Sequence, residues 1–541
     1  MRLITPFLAL LSFLSTSPTV NGQHRHDALI EQQLGTVHFP ISCDARVQKQ
    51  FEKGVALLHS FTFDRAETVF RQVAQDDPHC AMAHWGIATT FSRWAGPNKK
   101  QRKRGWEEIK IAKSLHAATP RERDYIAAAA VVYVHPERED DKRGQRYLKA
   151  MEKLYRSYPD DYEAAAFYAL ALEESDRDDD PTHAKRKQAA PILEKLFLIE
   201  PQHPGVAHYL IHTYDVPDMA ELGLPAARRY AQIAPAAPHA LHMPSHIFAQ
   251  LGMWQEDIDS NLASVAASRN AAATHMGDEG HQYHAMEFLM YAYLQSGREE
   301  EARKLIEEVK ALPKMKSMYG IEADPQVLAE VSYAASYALE LHDWANASEL
   351  PLTPGTELGD DSITYLARAI GEARGGHSDR AREEVSKIEA LHKQVLEKKL
   401  PWADWVDHQR EEAEAWADYA EGKNEDAIRL MRRRADLQTS GGFAAQGDLP
   451  AREMLADLLL GMKRPEEALR EYDAQLKIGP MRFDSLYGAG QAAEMMKRPE
   501  IAANYYRQLV TACANGNSTR PELAHARDFL SSLAKEVSIA N

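Results

Sequence analysis

Cysteine is nearly absent: three residues in 541, at positions 43, 80 and 513. Three scattered thiols make no zinc ribbon, so any metal bound here must rest on imidazole and carboxylate. An oxidising compartment permits one disulfide, with Cys43 and Cys80 as a candidate pair. Positive charge is also short. With 64 Lys and Arg against 80 Asp and Glu, the formal charge is −16, and a groove for nucleic acid needs a positive face. The one basic run, NKKQRKRGW at residues 98–106, reads as a solvated loop. Alternating strand patterns are missing, which argues against a sheet. So are a Walker loop, a dinucleotide fingerprint and a nucleophile elbow, which removes the common phosphate, dinucleotide and serine-hydrolase chemistries. Beyond the N-terminus no apolar run is long enough to cross a bilayer.

The chain does have good helix formers throughout: Ala, Leu, Glu, Arg and Lys. It also opens on MRLITPFLALLSFLSTSPTVNG, with one Arg, an apolar core and small residues at the end. That is the pattern of a secretory leader, with cleavage expected after Gly22 and a mature chain that is exported, periplasmic or secreted.

Internal repeats organise the rest. In FEKGVALLHSFTFDRAETVFRQVAQDDP, residues 51–78, the small residues Gly54 and Ala66, the aromatic Phe70 and the closing Pro78 recur at helical-hairpin spacing. Small residues let two antiparallel helices approach closely, and the proline ends the second helix. The C-terminus repeats the frame with Ala468, Tyr472 and Pro480, then Gly490, Ala502 and Tyr506; the two alanines are 34 residues apart. Ala302, Ala381 and Ala427 occupy the same small slot, each after a turn bearing lysine or glycine. On these residues the chain resembles the tetratricopeptide-repeat family over most of residues 47–515, and in particular exported bacterial members with a His-rich central region. The resemblance implies an all-α solenoid of helical hairpins, a right-handed superhelix with insertions outside the repeat pattern. It also implies a concave groove that takes a peptide or protein partner. The expected organisation is a leader at 1–22, an extension at 23–46, and N-terminal repeats with insertions at 47–200. His-rich central repeats follow at 201–312, further helices with a linker at 313–407, and C-terminal repeats at 408–541. The acidic run at 176–180 reads as a loop, and residues 350–361 as a linker.

Nine of the 23 histidines lie between positions 203 and 284. In PGVAHYLIHTYD, His208, His212 and Asp215 are spaced i, i+4, i+7, one face of a helix. Paired His at i and i+4 is how a single helix offers two nitrogens to a metal. The glutamate that a zinc protease places after the first His is missing; Tyr209 stands there. In HALHMPSHIF, residues 239–248, His239, His242 and His246 share a face as well, with Pro244 marking a kink or a helix start. Ser245 beside it is expected to cap or tighten that turn. In the family frame these residues point into the groove at matching heights on consecutive helices. His284 and Glu287 join them from the next helix, with His281 just before it, and His59 faces the groove from the first repeat. A single groove-facing His is ordinarily a solvated or peptide-contacting side chain. Four in matched register, His208, His212, His242 and His246, point to a bound transition metal, with His239, His281, His284, Asp215 and Glu287 as further ligands or their supports. Zinc, copper and iron all fit such donors, and the surplus of candidates allows two ions. The competing expectation is a non-enzymatic peptide-binding scaffold of the cell envelope, with His serving hydrogen bonds or a pH response.

Overall fold

The computed structural model describes residues 33–92, 97–138, 140, 142–176, 180–273, 280–313, 325–440 and 449–540. The expected leader at 1–22 lies outside them, as does the first part of the extension. Among the described residues every regular element is a helix, and none is long and apolar enough to cross a membrane.

Local chemistry sets the helix boundaries. Thr119 caps the helix Pro120–Tyr133 in a reciprocal box with Glu122. Proline opens Pro204–Tyr214, Pro238–His242, Pro465–Ile478 and Pro499–Ala512, where its missing N–H costs nothing. The turn joining the helices of a hairpin passes through one left-handed residue, such as Gly297, Gly422, Lys463 or Lys497. These are the lysine- and glycine-bearing turns of the repeat pattern.

Each helix packs on the next along the chain, and the hairpins stack into an all-α solenoid. Ala66, Ala302, Ala381, Ala427, Ala468 and Ala502 are all fully buried, as the small-slot pattern requires. Opposite them, Gly54 leaves room for the Phe70 ring and Gly490 for the Tyr506 ring, where a Cβ would collide. Burying one such ring stabilises the hairpin by roughly 1.5–3 kcal/mol.

Two long-range closures bring distant repeats together. The helix Gln48–His59 packs on Pro204–Tyr214, so the first repeat reaches the fifth helical pair directly. An extended segment straps this closure, with Thr36 N–H donating to the Gln202 carbonyl and Ala236 N–H to the Gln33 carbonyl. Further on, Trp254 donates from Nε1 to the Met481 carbonyl at 3.1 Å. Arg482, fully buried, bridges Glu340 at 2.5 Å and Glu453 at 2.7 Å. The C-terminal repeats are thereby locked to the central ones.

The basic run at 98–106 is not a loop. It forms the start of the helix Lys99–Ser114, capped by Asn98 with Gln101, and it buries Arg102. The cap supplies acceptors for the first N–H groups, and Arg102 spends its charge on the carbonyls of Pro97 and Pro136. Residues 350–360 form a loop before the helix Asp361–Arg374, as expected of a linker. In the acidic run, Asp176 faces Arg186 and His183, while residues 177–179 lie outside the described set. Cys43 and Cys80 form a disulfide, and Cys513 is a buried free thiol.

Candidate metal centre

Three successive stretches deliver the histidines. His203 caps the helix Pro204–Tyr214 by accepting the Val206 N–H, and this helix carries His208 and His212. The segment Pro238–His242 ends because Pro244 has no N–H to continue it. Met243 keeps right-handed helical angles, so Pro244–Gln250 continues nearly the same rotation. His239, His242 and His246 therefore stay on one face despite the break. The third contributor is the helix His281–Gln295.

The sequence pattern grouped His208, His212, His242 and His246. The structure divides them. His208, His212 and His239 form one trio; His242, His246 and His284 form another. In the first, His208 Nε2 lies 3.1 Å from both His212 Nε2 and His239 Nε2. In the second, His242 Nε2 lies 3.0 Å from His246 Nε2. Nitrogens bound to one ion at about 2.0–2.1 Å sit roughly 2.9–3.4 Å apart for angles between right and tetrahedral.

The outer nitrogens decide what the inner ones are. His208 Nδ1–H donates to the His59 carbonyl at 2.6 Å. His246 Nδ1–H donates to Asp215 Oδ2 at 2.7 Å, and Asp215 Oδ1 accepts from Gln250. His242 Nδ1–H donates to Asn261 Oδ1 at 2.7 Å. The orientation of that amide follows from its nitrogen, which donates to the Asp257 carbonyl and carboxylate. With their Nδ1 hydrogens committed outward and burial disfavouring a second proton, the Nε2 atoms of His208 and His242 carry lone pairs that face inward. This outward hydrogen bonding is how metal-bound imidazoles are oriented.

Burial keeps these rings neutral. It pushes His208 down to about 3, and the neighbouring imidazoles add to the effect. Burial and adjacent His lower His212, His239 and His242 well below the ordinary value. Burial raises the Asp215 carboxyl, but His246 and Arg186 outweigh it and hold Asp215 ionised. A neutral imidazole is the form a metal binds.

The remaining sequence candidates hold supporting places. Asp215 backs His246, and Glu287 Oε2 lies 3.2 Å from His284 Nδ1. The His281 ring lies tilted 5.2 Å from that of His239, outside both trios. Ser245 does not cap the turn; its hydroxyl is buried 3.3 Å from Asn261 Oδ1. The sequence pattern missed Asn261, Glu163, His203, Phe61 and Phe288. Glu163 bridges His59 Nε2 at 2.8 Å and His203 Nε2 at 2.9 Å, and Tyr209 O–H meets His59 Nδ1 at 2.7 Å. That buried network is internally satisfied, and it fixes the residue whose carbonyl orients His208. Only a fold that closes residue 59 onto residue 208 creates it. The sulfur-bearing group of Cys43, Asp77 and Cys80 offers no thiolate because its sulfurs are bonded to each other.

Fold and site together define a helical-hairpin solenoid that encloses a largely buried histidine cluster, where the sequence pattern had these side chains facing an open groove. No family model matches the sequence, and no curated protein matches it. Among solved structures, the human IFIT1 dimer with m7Gppp-AAAA is similar at 13% identity, covering 90% of this chain and 100% of that one, with a TM-score of 0.34. A monomeric IFIT1 mutant with Gppp-AAAA gives 13% identity over the same shares, with a TM-score of 0.33. Likeness this distant carries no site residues over to this chain.

Proposed function

We propose that this protein is an exported transition-metal protein that holds metal on the two histidine trios. One observation carries the reading. The inward Nε2 atoms meet at 3.0–3.1 Å while the hydrogens of His208, His242 and His246 are committed outward. The His208 and His242 lone pairs point at neighbouring imidazole nitrogens, and a cation placed between those nitrogens would be attracted to them. Zinc, copper and iron fit the donor set. The Cys43–Cys80 disulfide supports export, since such bonds persist in oxidising compartments. With three side-chain donors per ion, a coordination position stays open for a small ligand, the condition for metal chemistry rather than a purely structural ion.

The test is elemental analysis of the mature protein, purified without a histidine tag, beside His208→Ala/His246→Ala. Stoichiometric metal in the parent and its loss in the variant are expected. No metal in the parent after loading with zinc, copper and iron would end this reading.

A second reading has its own observation. In the C-terminal repeats a cavity of about 500 Å³ is lined by Trp344, Arg374, Asp457, Tyr487, Gln491 and His525 among others. That is room for a partner's side chains, as a peptide-binding scaffold needs. It predicts partner capture that Tyr487→Ala abolishes and that metal removal leaves intact.

A further inference from the structure

The two trios are immediate neighbours. The His212 and His246 rings are 6.1 Å apart and the His239 and His242 rings 6.0 Å, both across the trios. Within the first trio His212 and His239 stand 6.5 Å apart. The other pairs within a trio are closer, from 4.5 to 5.7 Å, so the groups are distinct but adjacent, one ring's breadth apart. Two ions placed here fall within reach of one shared small ligand, as in two-metal centres with spacings of roughly 3.5–4 Å.

The walls narrow the choice of ligand. Phe61 lies 4.4, 5.8 and 5.4 Å from His208, His212 and His239. Phe288 lies 4.7, 4.7 and 5.2 Å from His242, His246 and His284. Each trio thus packs against one phenylalanine ring. The six imidazoles bring no negative charge, and Asp215 and Glu287 reach only the outer nitrogens. A buried site of neutral donors penalises highly charged ions and favours reduced ones of low charge. Copper(I) in a trigonal set of three nitrogens meets that condition. The two trios lie side by side against phenylalanine rings, surroundings suited to a small uncharged molecule.

Building on the metal reading above, we propose that the two ions form one dinuclear centre whose substrate is dioxygen. The chemistry balances without an outside reductant. Each copper(I) gives one electron and becomes copper(II). Dioxygen takes both electrons, its bond order falls from two to one, and the product bridges the ions as a dianion. No proton is needed in this step.

The experiment is anaerobic loading of the full mature chain with copper(I), removal of loose metal, and addition of dioxygen. Copper content, oxygen uptake and the copper(II) paramagnetic resonance signal are then read. The expected result is two coppers per chain, one dioxygen consumed per copper pair, and little resonance signal because bridged copper(II) spins couple. His284→Ala, which removes a half-buried ligand of the second trio, is expected to lose most of the stoichiometric uptake while the first trio still binds copper. Oxidised by another agent, that copper should give the signal of an isolated ion. Failure to retain copper, zinc or iron overturns the metal reading itself. Two retained coppers without oxygen uptake, or with the full signal of two independent ions, overturn the dinuclear proposal alone.

Discussion

His246 donates its Nδ1 hydrogen to Asp215 Oδ2 across 2.7 Å, from one helical hairpin to the next. The bond fixes the tautomer and the ring angle, and so aims His246 Nε2 at His242. Truncation to Asp215→Ala leaves every ligand in place but frees the ring. Metal affinity should fall about 10- to 100-fold, the usual effect of losing such a support. Competition against a chromophoric chelator measures it. An unchanged affinity would mean that His246 is no ligand.

The buried imidazoles make the metal-free protein acid-sensitive. Unfolded, His208 takes a proton near 6.5; folded, it does so only at about 3. His281 behaves the same way for the same reason, burial. Between those values the unfolded chain binds more protons, so stability falls as pH drops, by up to about 1.4 kcal/mol per pH unit for each such group. Urea melts of metal-free protein at pH 7.5, 6 and 4.5 should show the decline, and His208→Gln should flatten it. Equal midpoints in all three buffers would contradict neutral buried rings.

Arg482 has no exposed surface and holds two carboxylates, Glu340 and Glu453. Arg482→Met strands both in the interior between the central and C-terminal repeats. The expected cost is about 3–5 kcal/mol, seen as a lower urea midpoint. A variant as stable as the parent would show that the two halves are held by apolar packing alone.

Ala502 is fully buried in the close contact between two helices. Ala502→Leu has no space for the added carbons and should destabilise by about 1–3 kcal/mol. Parent-like thermal unfolding would refute the repeat frame drawn through that alanine.

Much of the architecture was legible beforehand because repeats depend on local rules. Ala468 and Ala502 mark the tight crossings, Lys463 and Lys497 the left-handed turns, and the prolines the helix starts. Each acts within a few residues of itself, so spacing alone reveals it. The basic run at 98–106 misled because its charge suggests solvent, whereas capping by Asn98 and the carbonyls around Arg102 favour a helix.

Sequence by itself also determined which histidines share a helical face, since that follows from 3.6 residues per turn. Tertiary structure decided how they divide. His239 sits in the same ten-residue stretch as His242 and His246, yet it turns to His208 while the other two turn to His284. Periodicity says nothing of which neighbouring helix a side chain meets. That depends on the crossing of three helices and on closure of the first repeat, which brings the His59 carbonyl and the Phe61 ring against His208 from about 150 positions away.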